Sequence, residues 1–236
     1  YSAAYIRDTV SRLEAAMTEG WPCWAVSNHD VERAVSRWGG HPADPRLARM
    51  LVAMLCSLRG SVCLYQGEEL GLAEAEVPYE ALQDPYGITF WPNFKGRDGC
   101  RTPLPWTDAP LAGFTSGKPW LPIPAEHRAA AVAVQERDPH SVLAAFRAFL
   151  AWRRGQPALL HGSLRFIESA EPVLLFERML ADETLLLAFN LSAEAVSHPL
   201  PPGHWQQVAV PGPDAGTVQG NELQLPPRAV YCARRS

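Results

Sequence analysis

The chain has 236 residues, 47% of them hydrophobic and 19% charged, with a formal net charge of −4. That length supports one or two domains with a buried core, and so mild an acidity excludes nucleic acid or an anionic membrane surface as an electrostatic partner. No apolar run approaches the roughly 18 residues of a membrane span, and Tyr1-Ser2-Ala3-Ala4 lacks the basic and apolar regions of a secretion signal, so a cytoplasmic location away from membranes is expected.

The first element is a helix: Ile6, Val10, Leu13 and Met17 recur at three- and four-residue intervals, and Gly20 follows as a stop. Residues 23–26, Cys-Trp-Ala-Val, form a short continuous apolar run of the kind a parallel sheet buries on both faces. It leads directly into the polar Ser27-Asn28-His29-Asp30. Leu47, Met50, Leu51, Met54, Leu55 and Leu58 make one apolar stripe from Pro45 onward, closed by Gly60, which predicts a second helix. Residues 62–65, Val-Cys-Leu-Tyr, read as a second buried strand. Helix, strand, helix and strand in that order predict α/β architecture with right-handed crossovers.

Residues 73–124 are rich in Pro, Gly and Trp and carry little periodicity. A loop that long is functional or disordered. Its aromatic side chains, Tyr79, Tyr86, Phe90, Trp91, Phe94, Trp106 and Trp120, argue for order. Phe90, Trp91 and Trp106 are expected to form loop core rather than an exposed stacking surface. Asp138 is a natural N-cap followed by Pro139, and Val142, Phe146, Phe149 and Leu150 supply the apolar face of a further helix. After Gln156-Pro157 the pattern turns to short apolar runs at 173–176, 184–189, 206–210 and 229–232, punctuated by Gly and Pro. Two domains are therefore expected: an α/β domain over 1–155 and a small antiparallel β domain over 156–236 without helices, near the lower size for a self-supporting core.

The five cysteines are odd in number and scattered, with no C-x-x-C spacing, and are expected to be reduced core thiols. Clustered Cys or His ligands are not visible, so no metal or other cofactor is expected. The absence of an initiator Met creates the expectation that the chain starts inside a longer protein.

Three motifs carry a resemblance. Ser27-Asn28-His29-Asp30 closes the first apolar run, Leu64-Tyr65-Gln66-Gly67-Glu68-Glu69-Leu70-Gly71 closes the second, and Gly96-Arg97-Asp98-Gly99-Cys100-Arg101-Thr102-Pro103-Leu104-Pro105-Trp106 lies in the long loop. In that order and spacing they resemble the end of the seventh strand, the eighth strand and the following loop of the α-amylase superfamily of glycoside hydrolases. Gln83-Asp84-Pro85-Tyr86-Gly87 is similar more narrowly to bacterial α-glucosidases and oligo-1,6-glucosidases. The resemblance implies that 1–155 is the C-terminal part of a (β/α)8 TIM barrel, including strands seven and eight, and that 156–236 is the β domain behind it. Sites of such barrels lie at the C-terminal ends of the strands, where His29 and Asp30 stand.

Retaining glycosidases use a nucleophilic carboxylate and an acid/base carboxyl about 5–5.5 Å apart. In the family these follow strands four and five, and this chain holds neither segment. Asp30 matches the third family carboxylate, whose implied catalytic role is to bind the sugar 2-OH in the distorted ring. His29 is implied to bind the same sugar. Arg97 resembles the arginine that closes the far side of the pocket, with its carboxylate partner expected near the start of the barrel, outside this chain. The implied activity is exo-acting hydrolysis of short α-linked di- or oligosaccharides by the longer protein, with the chain alone inactive. Its implied partners are the missing N-terminal part of the barrel or another copy of the chain. The alternative is a non-catalytic module kept for carbohydrate binding or assembly.

Other side chains take plainer readings. Asp30 could cap a short helix starting at Val31. Arg101 is expected to brace its loop, and Tyr65 to face the barrel interior. Glu68 and Glu69, adjacent on an extended segment, point to opposite faces and are expected to be structural rather than a catalytic pair. Glu74, in the loop just beyond, is expected to face the leaving-group side of the pocket.

Overall fold

The computed structural model describes residues 1–40 and 42–236. It divides into two compact units, one of residues 1–24, 49–63 and 145–236, the other of residues 25–48 and 64–144. Among the described residues no helix is long and apolar enough to cross a membrane.

Helix α1 (Ala3–Ala16) is capped by Ser2, whose hydroxyl accepts a hydrogen bond from the Tyr5 N–H. Its apolar stripe is only partly covered: Val10 is buried, but Leu13 is 39% exposed. Strand β1 (Cys23–Trp24) pairs in parallel with β2 (Ser61–Val62), Cys23 opposite Ser61 and Trp24 opposite Val62. The two strands are where the sequence puts them, but each is shorter than expected, and Cys23, Ala25, Ser61 and Cys63 are exposed. An apolar run is buried on both faces only when layers cover it, and here each strand has a single hydrogen-bonded neighbour among the described residues. For the same reason Cys23 and Cys63 are exposed free thiols, whereas Cys56, Cys100 and Cys232 are buried as expected.

Helix α2 (Ala34–Gly39) begins three residues later than expected, and its cap comes from elsewhere: the Ala34 N–H donates to the Ser27 hydroxyl at 3.1 Å. Helix α3 (Pro45–Ser57) buries its whole predicted stripe, Leu47 and Met50 at 0% exposure. The long loop is ordered, as its aromatics suggested. It holds short 3-10 turns at Glu68–Leu70, Tyr79–Ala81 and Asp98–Cys100, then helix α4 (Pro85–Phe90), α5 (Ala125–Ala129) and α6 (Val132–Gln135). Helix α7 (Val142–Arg154) buries Val142 and Phe149. Its cap is Ser141, which accepts from the Ala144 N–H at 3.1 Å, while Asp138 takes the His140 N–H and closes the preceding turn.

Helix α8 (Pro157–His161) is a correction, since no helix was expected after residue 156; Pro157 at its first turn is compatible with helix and offered the signal. The rest is antiparallel β structure, as expected. One sheet contains β3 (Ser163–Ile167), β4 (Val173–Leu180) and β5 (Glu183–Asn190), then β10 (Val230–Arg235) and β7 (Trp205–Gln207) in that spatial order. The other contains β6 (Val196–Pro199), β9 (Glu222–Leu225) and β8 (Thr217–Gln219). Leu175, Leu186, Leu223, Leu225 and Tyr231 form one core. Phe176 and Phe189, both fully buried, stack on each other with centroids 5.5 Å apart. Arg178 is also fully buried and gives hydrogen bonds to the Ser57 carbonyl at 2.7 Å and the Gly162 carbonyl at 2.9 Å, so the last carbonyl of α3 receives a guanidinium from β4.

Candidate functional site

His29, Asp30 and Arg97 all belong to the unit of residues 25–48 and 64–144. Asn28 folds the turn that presents the pair, its side-chain oxygen accepting from the Asp30 N–H at 2.8 Å. Asp30 does not cap α2. Its Oδ1 accepts from Arg97 Nη1 at 3.1 Å and from Arg101 Nη2 at 3.0 Å, and its Oδ2 lies 3.4 Å from His29 Nε2. The hydrogen bond from Arg97, aided by the charges of His29 and Arg97 and the bond from Arg101, holds the Asp30 carboxyl below the usual carboxylate range. The His29 and Asp30 side chains are 69% and 48% exposed, so both are open to a solute.

Arg97 has two carboxylate partners within this chain, Asp84 and Asp30, and the further one expected near the start of the barrel lies outside it. Its Nε and Nη2 donate to Asp84 Oδ2 and Oδ1, each at 2.9 Å, and its backbone N–H donates to Oδ2 at 2.8 Å. Bidentate pairing of this kind fixes the plane of a guanidinium. Asp84 is 2% exposed, and the Arg97 side chain beside it pulls its carboxyl down to about 2. Asp84 also caps α4, accepting from the Tyr86 N–H. Its own N–H and that of Gln83 donate to Asp98 Oδ2, at 2.8 and 2.6 Å. Arg97 lies over the Tyr86 ring at 5.4 Å.

Arg101 does more than brace its loop. Its Nε donates to the His29 carbonyl at 2.7 Å while Nη2 reaches Asp30, so one guanidinium spans the backbone and side chain of the pair. Arg33 has no counterpart in the sequence reading. It is 3% exposed and gives Nη1 to the Gln66 carbonyl at 2.9 Å and Nη2 to the Cys100 carbonyl at 3.0 Å, tying the segments after both apolar runs to the Gly96–Trp106 motif. Tyr65 donates to the same Cys100 carbonyl at 3.0 Å. The only advance signal for Arg33 was a lone cation three residues past Asp30.

Glu68 and Glu69 stand on a 3-10 turn rather than an extended segment, yet they are structural as expected: Glu68 accepts from the Tyr65 N–H at 3.0 Å, and Glu69 from the Gly67 N–H at 2.7 Å. Glu74 accepts from the Arg33 N–H at 2.9 Å, and burial pushes its carboxyl up to about 7. Phe90, Trp91 and Trp106 are exposed, at 53%, 37% and 50%, and are not loop core. The loop is held instead by backbone-to-carboxylate bonds, which leave its rings on the surface, Tyr79 against Trp91 at 5.7 Å and Tyr86 against Phe90 at 6.4 Å. Among the described residues no group of three or more His, Cys, Asp or Glu side chains is arranged to hold a metal ion.

An ionised, solvent-open carboxylate held by two guanidiniums, with an imidazole beside it, is an acceptor for hydroxyl groups of a neutral polyol. Comparison with known proteins gives this geometry a setting. Residues 2–162 match the model of the alpha amylase catalytic domain, and residues 162–232 match a domain of unknown function, DUF3459. A probable alpha-glucosidase of Rhizobium meliloti is 48% identical over 97% of this chain and 42% of its own length. An oligo-1,6-glucosidase of Parageobacillus thermoglucosidasius is 29% identical over 85% of this chain and 40% of its own length. The crystal structure of an alpha-glucosyl transfer enzyme, XgtA, superposes with a TM-score of 0.97 at 68% identity, over 100% of this chain and 44% of that one. The chain thus spans about two fifths of the length of the curated relatives it matches.

Proposed function

Because the chain belongs to the alpha-amylase family, we propose that it is the C-terminal portion of an exo-acting, retaining α-glucosidase acting on short α-linked glucosides. Residues 1–155 would complete the catalytic barrel and 156–236 would form the β domain. The observation that carries the reading is the Asp30 carboxylate, ionised and held on one oxygen by Arg97 and Arg101.

In this reading Asp30 accepts hydrogen bonds from the hydroxyls of the glucosyl ring, the 2-OH included, and these bonds tighten as the ring flattens towards an oxocarbenium ion. His29 donates to the same ring. Arg97 closes the pocket, its fork held by Asp84. The nucleophile and the acid/base carboxyl come from the part of the longer protein that this chain does not contain. Glu74, whose carboxyl burial pushes up to about 7, would face the leaving-group side.

The test is Asp30→Asn in the full-length protein. The expected loss in kcat/KM is about 100- to 1,000-fold, the several kcal/mol that bonds to the 2-OH supply in the transition state. Unchanged kcat/KM on maltose, sucrose and isomaltose sinks the assignment. A full-length protein that binds these sugars without turnover favours a non-catalytic module instead. The chain alone is expected not to hydrolyse p-nitrophenyl-α-glucoside.

A second reading, transfer of the glucosyl group to an acceptor other than water, is favoured by the 68% identity to the alpha-glucosyl transfer enzyme. The ratio of transfer product to free glucose at rising acceptor concentration separates the two.

A further inference from the structure

We propose that Asp84 is a positioning residue that acts on substrate only through Arg97, holding the guanidinium so that its remaining nitrogen is presented at Asp30. The inference rests on the α-glucosidase reading and adds a residue to it. Three observations converge on Asp84. Its two oxygens take Nε, Nη2 and the backbone N–H of Arg97, which leaves only Nη1 to reach Asp30 Oδ1 at 3.1 Å. An arginine has a flexible stem, and without such a clamp the fork would sample many rotamers at an entropic cost at the moment of binding.

Asp84 is itself fixed from behind. Its side chain is fully buried, and its N–H is anchored on Asp98, whose carboxylate is also buried at 0% exposure. Asp98 Oδ1 has no hydrogen-bond partner. Burying carboxylates this way is costly, and apolar packing would brace a loop more stably. The arrangement is better suited to aiming a cation than to holding a loop.

The backbone is shaped around the clamp as well. Gly96 has φ +77°, and a Cβ there would stand 2.9 Å from Asp84 Oδ2 and 2.8 Å from the Gly87 backbone. A Cβ on Gly87 would meet the Lys95 carbonyl at 2.5 Å. The two glycines let the chain just before Arg97 pack against the first turn of α4, around the Asp84 carboxylate.

The experiment is a double-mutant cycle in the full-length protein, with kcat/KM on an α-glucoside as readout and thermal unfolding as a check on folding. Asp84→Asn keeps the shape and removes the charge and one acceptor. It is expected to lower kcat/KM about 10- to 100-fold, the range for hydrogen bonds to a charged group. In an Arg97→Ala background the same substitution is expected to cost less than about threefold, because its only route to substrate is gone. Losses that multiply would overturn the inference and make Asp84 a structural ion pair. If Arg97→Ala lowers kcat/KM and Asp84→Asn does not, the inference fails while the α-glucosidase reading survives. If Arg97→Ala has no effect, the sugar-binding role of Arg97 fails and the inference with it. Should Asp84→Asn not fold, Arg97→Lys keeps the charge but cannot pair bidentately with Asp84; it is expected to lower kcat/KM about 10- to 100-fold, and an unchanged kcat/KM overturns the inference.

Discussion

Two carboxyls of the site are shifted in opposite directions, and the stability of the protein follows each with opposite sign. Asp84 sits at about 2 in the folded protein, against about 3.9 for an unfolded aspartate. The unfolded chain therefore takes the proton first as pH falls. The contribution of Asp84 is complete above about pH 4 and is lost between there and pH 2. Asp84→Asn is expected to lower the urea midpoint at pH 6, and the gap from the parent sequence should shrink by about half at pH 3 and nearly close at pH 2; a gap undiminished at pH 2 rules out the charged pair as its cause. Glu74 sits at about 7 when folded, against about 4.3 unfolded. Here the folded state takes the proton first, so the contribution is complete below about pH 4 and is lost as pH rises through 7. The parent sequence should lose more stability between pH 5 and pH 8 than Glu74→Gln, measured by urea midpoints at the two values; equal losses would place the burial of Glu74 in doubt. His29, Asp30 and Arg97 were legible in the sequence because each lies in a motif that resembles a known one. Asp84 was visible only as part of the Gln83-Asp84-Pro85-Tyr86-Gly87 motif, and its capping of α4 emerged with the structure. Its second task, 13 residues away at Arg97, has no local signal. Arg33 was missed, and the reach of Arg101 beyond its loop with it, for the same reason: their partners at Gln66, Cys100, His29 and Asp30 are brought near by the fold.

At the scale of elements, what decided legibility was how completely an element is buried. Helix α3 and strands β4, β5 and β10 put long apolar stretches into the core, and their sequences read accordingly. Strands β6 and β8, Val-Ser-His-Pro and Thr-Val-Gln, have mixed composition and are held by pairing with β9. Pairing is a property of two segments together, so neither sequence announces its strand. Strand β1 shows the converse, an apolar run that is real but uncovered. The cap of α7 offers a direct comparison between the residue the sequence pointed to and the one the structure uses. Ser141→Ala should cost about 1 kcal/mol, the usual loss of an N-cap. Asp138→Ala should cost less, since Asp138 closes only the turn before the helix. Urea unfolding of the two variants decides it, and the reverse order would return the cap to Asp138. In the β domain, Phe176→Ala should cost about 3–5 kcal/mol, because the ring is at 0% exposure against Phe166 and Phe189 and leaves a cavity that close-packed neighbours do not refill.

At the scale of the molecule, the question is what β1 and β2 require. They form a two-stranded parallel sheet, and parallel sheets are stable when both faces are covered and the outer edges are paired. Here each strand offers one unpaired edge among the described residues, with Cys23 and Ser61 exposed. Leu13 and Tyr5 on α1 are exposed too, at 39% and 66%. Unpaired edges and bare apolar side chains are templates for association. The chain spans 42% of the Rhizobium meliloti relative, whose remaining length is ample for the rest of a barrel. We therefore expect the isolated chain to self-associate, and to become monodisperse with a single cooperative transition only when joined to that remaining part. Light scattering and thermal unfolding of the chain alone and of the longer protein make the comparison. A 26.0 kDa monomer that unfolds in one sharp transition would show that the two strands need no further partners. The β domain would then stabilise this part of a barrel by itself, and the dependence of the sheet on closure, taken here from the general behaviour of parallel sheets, would not hold for this sequence.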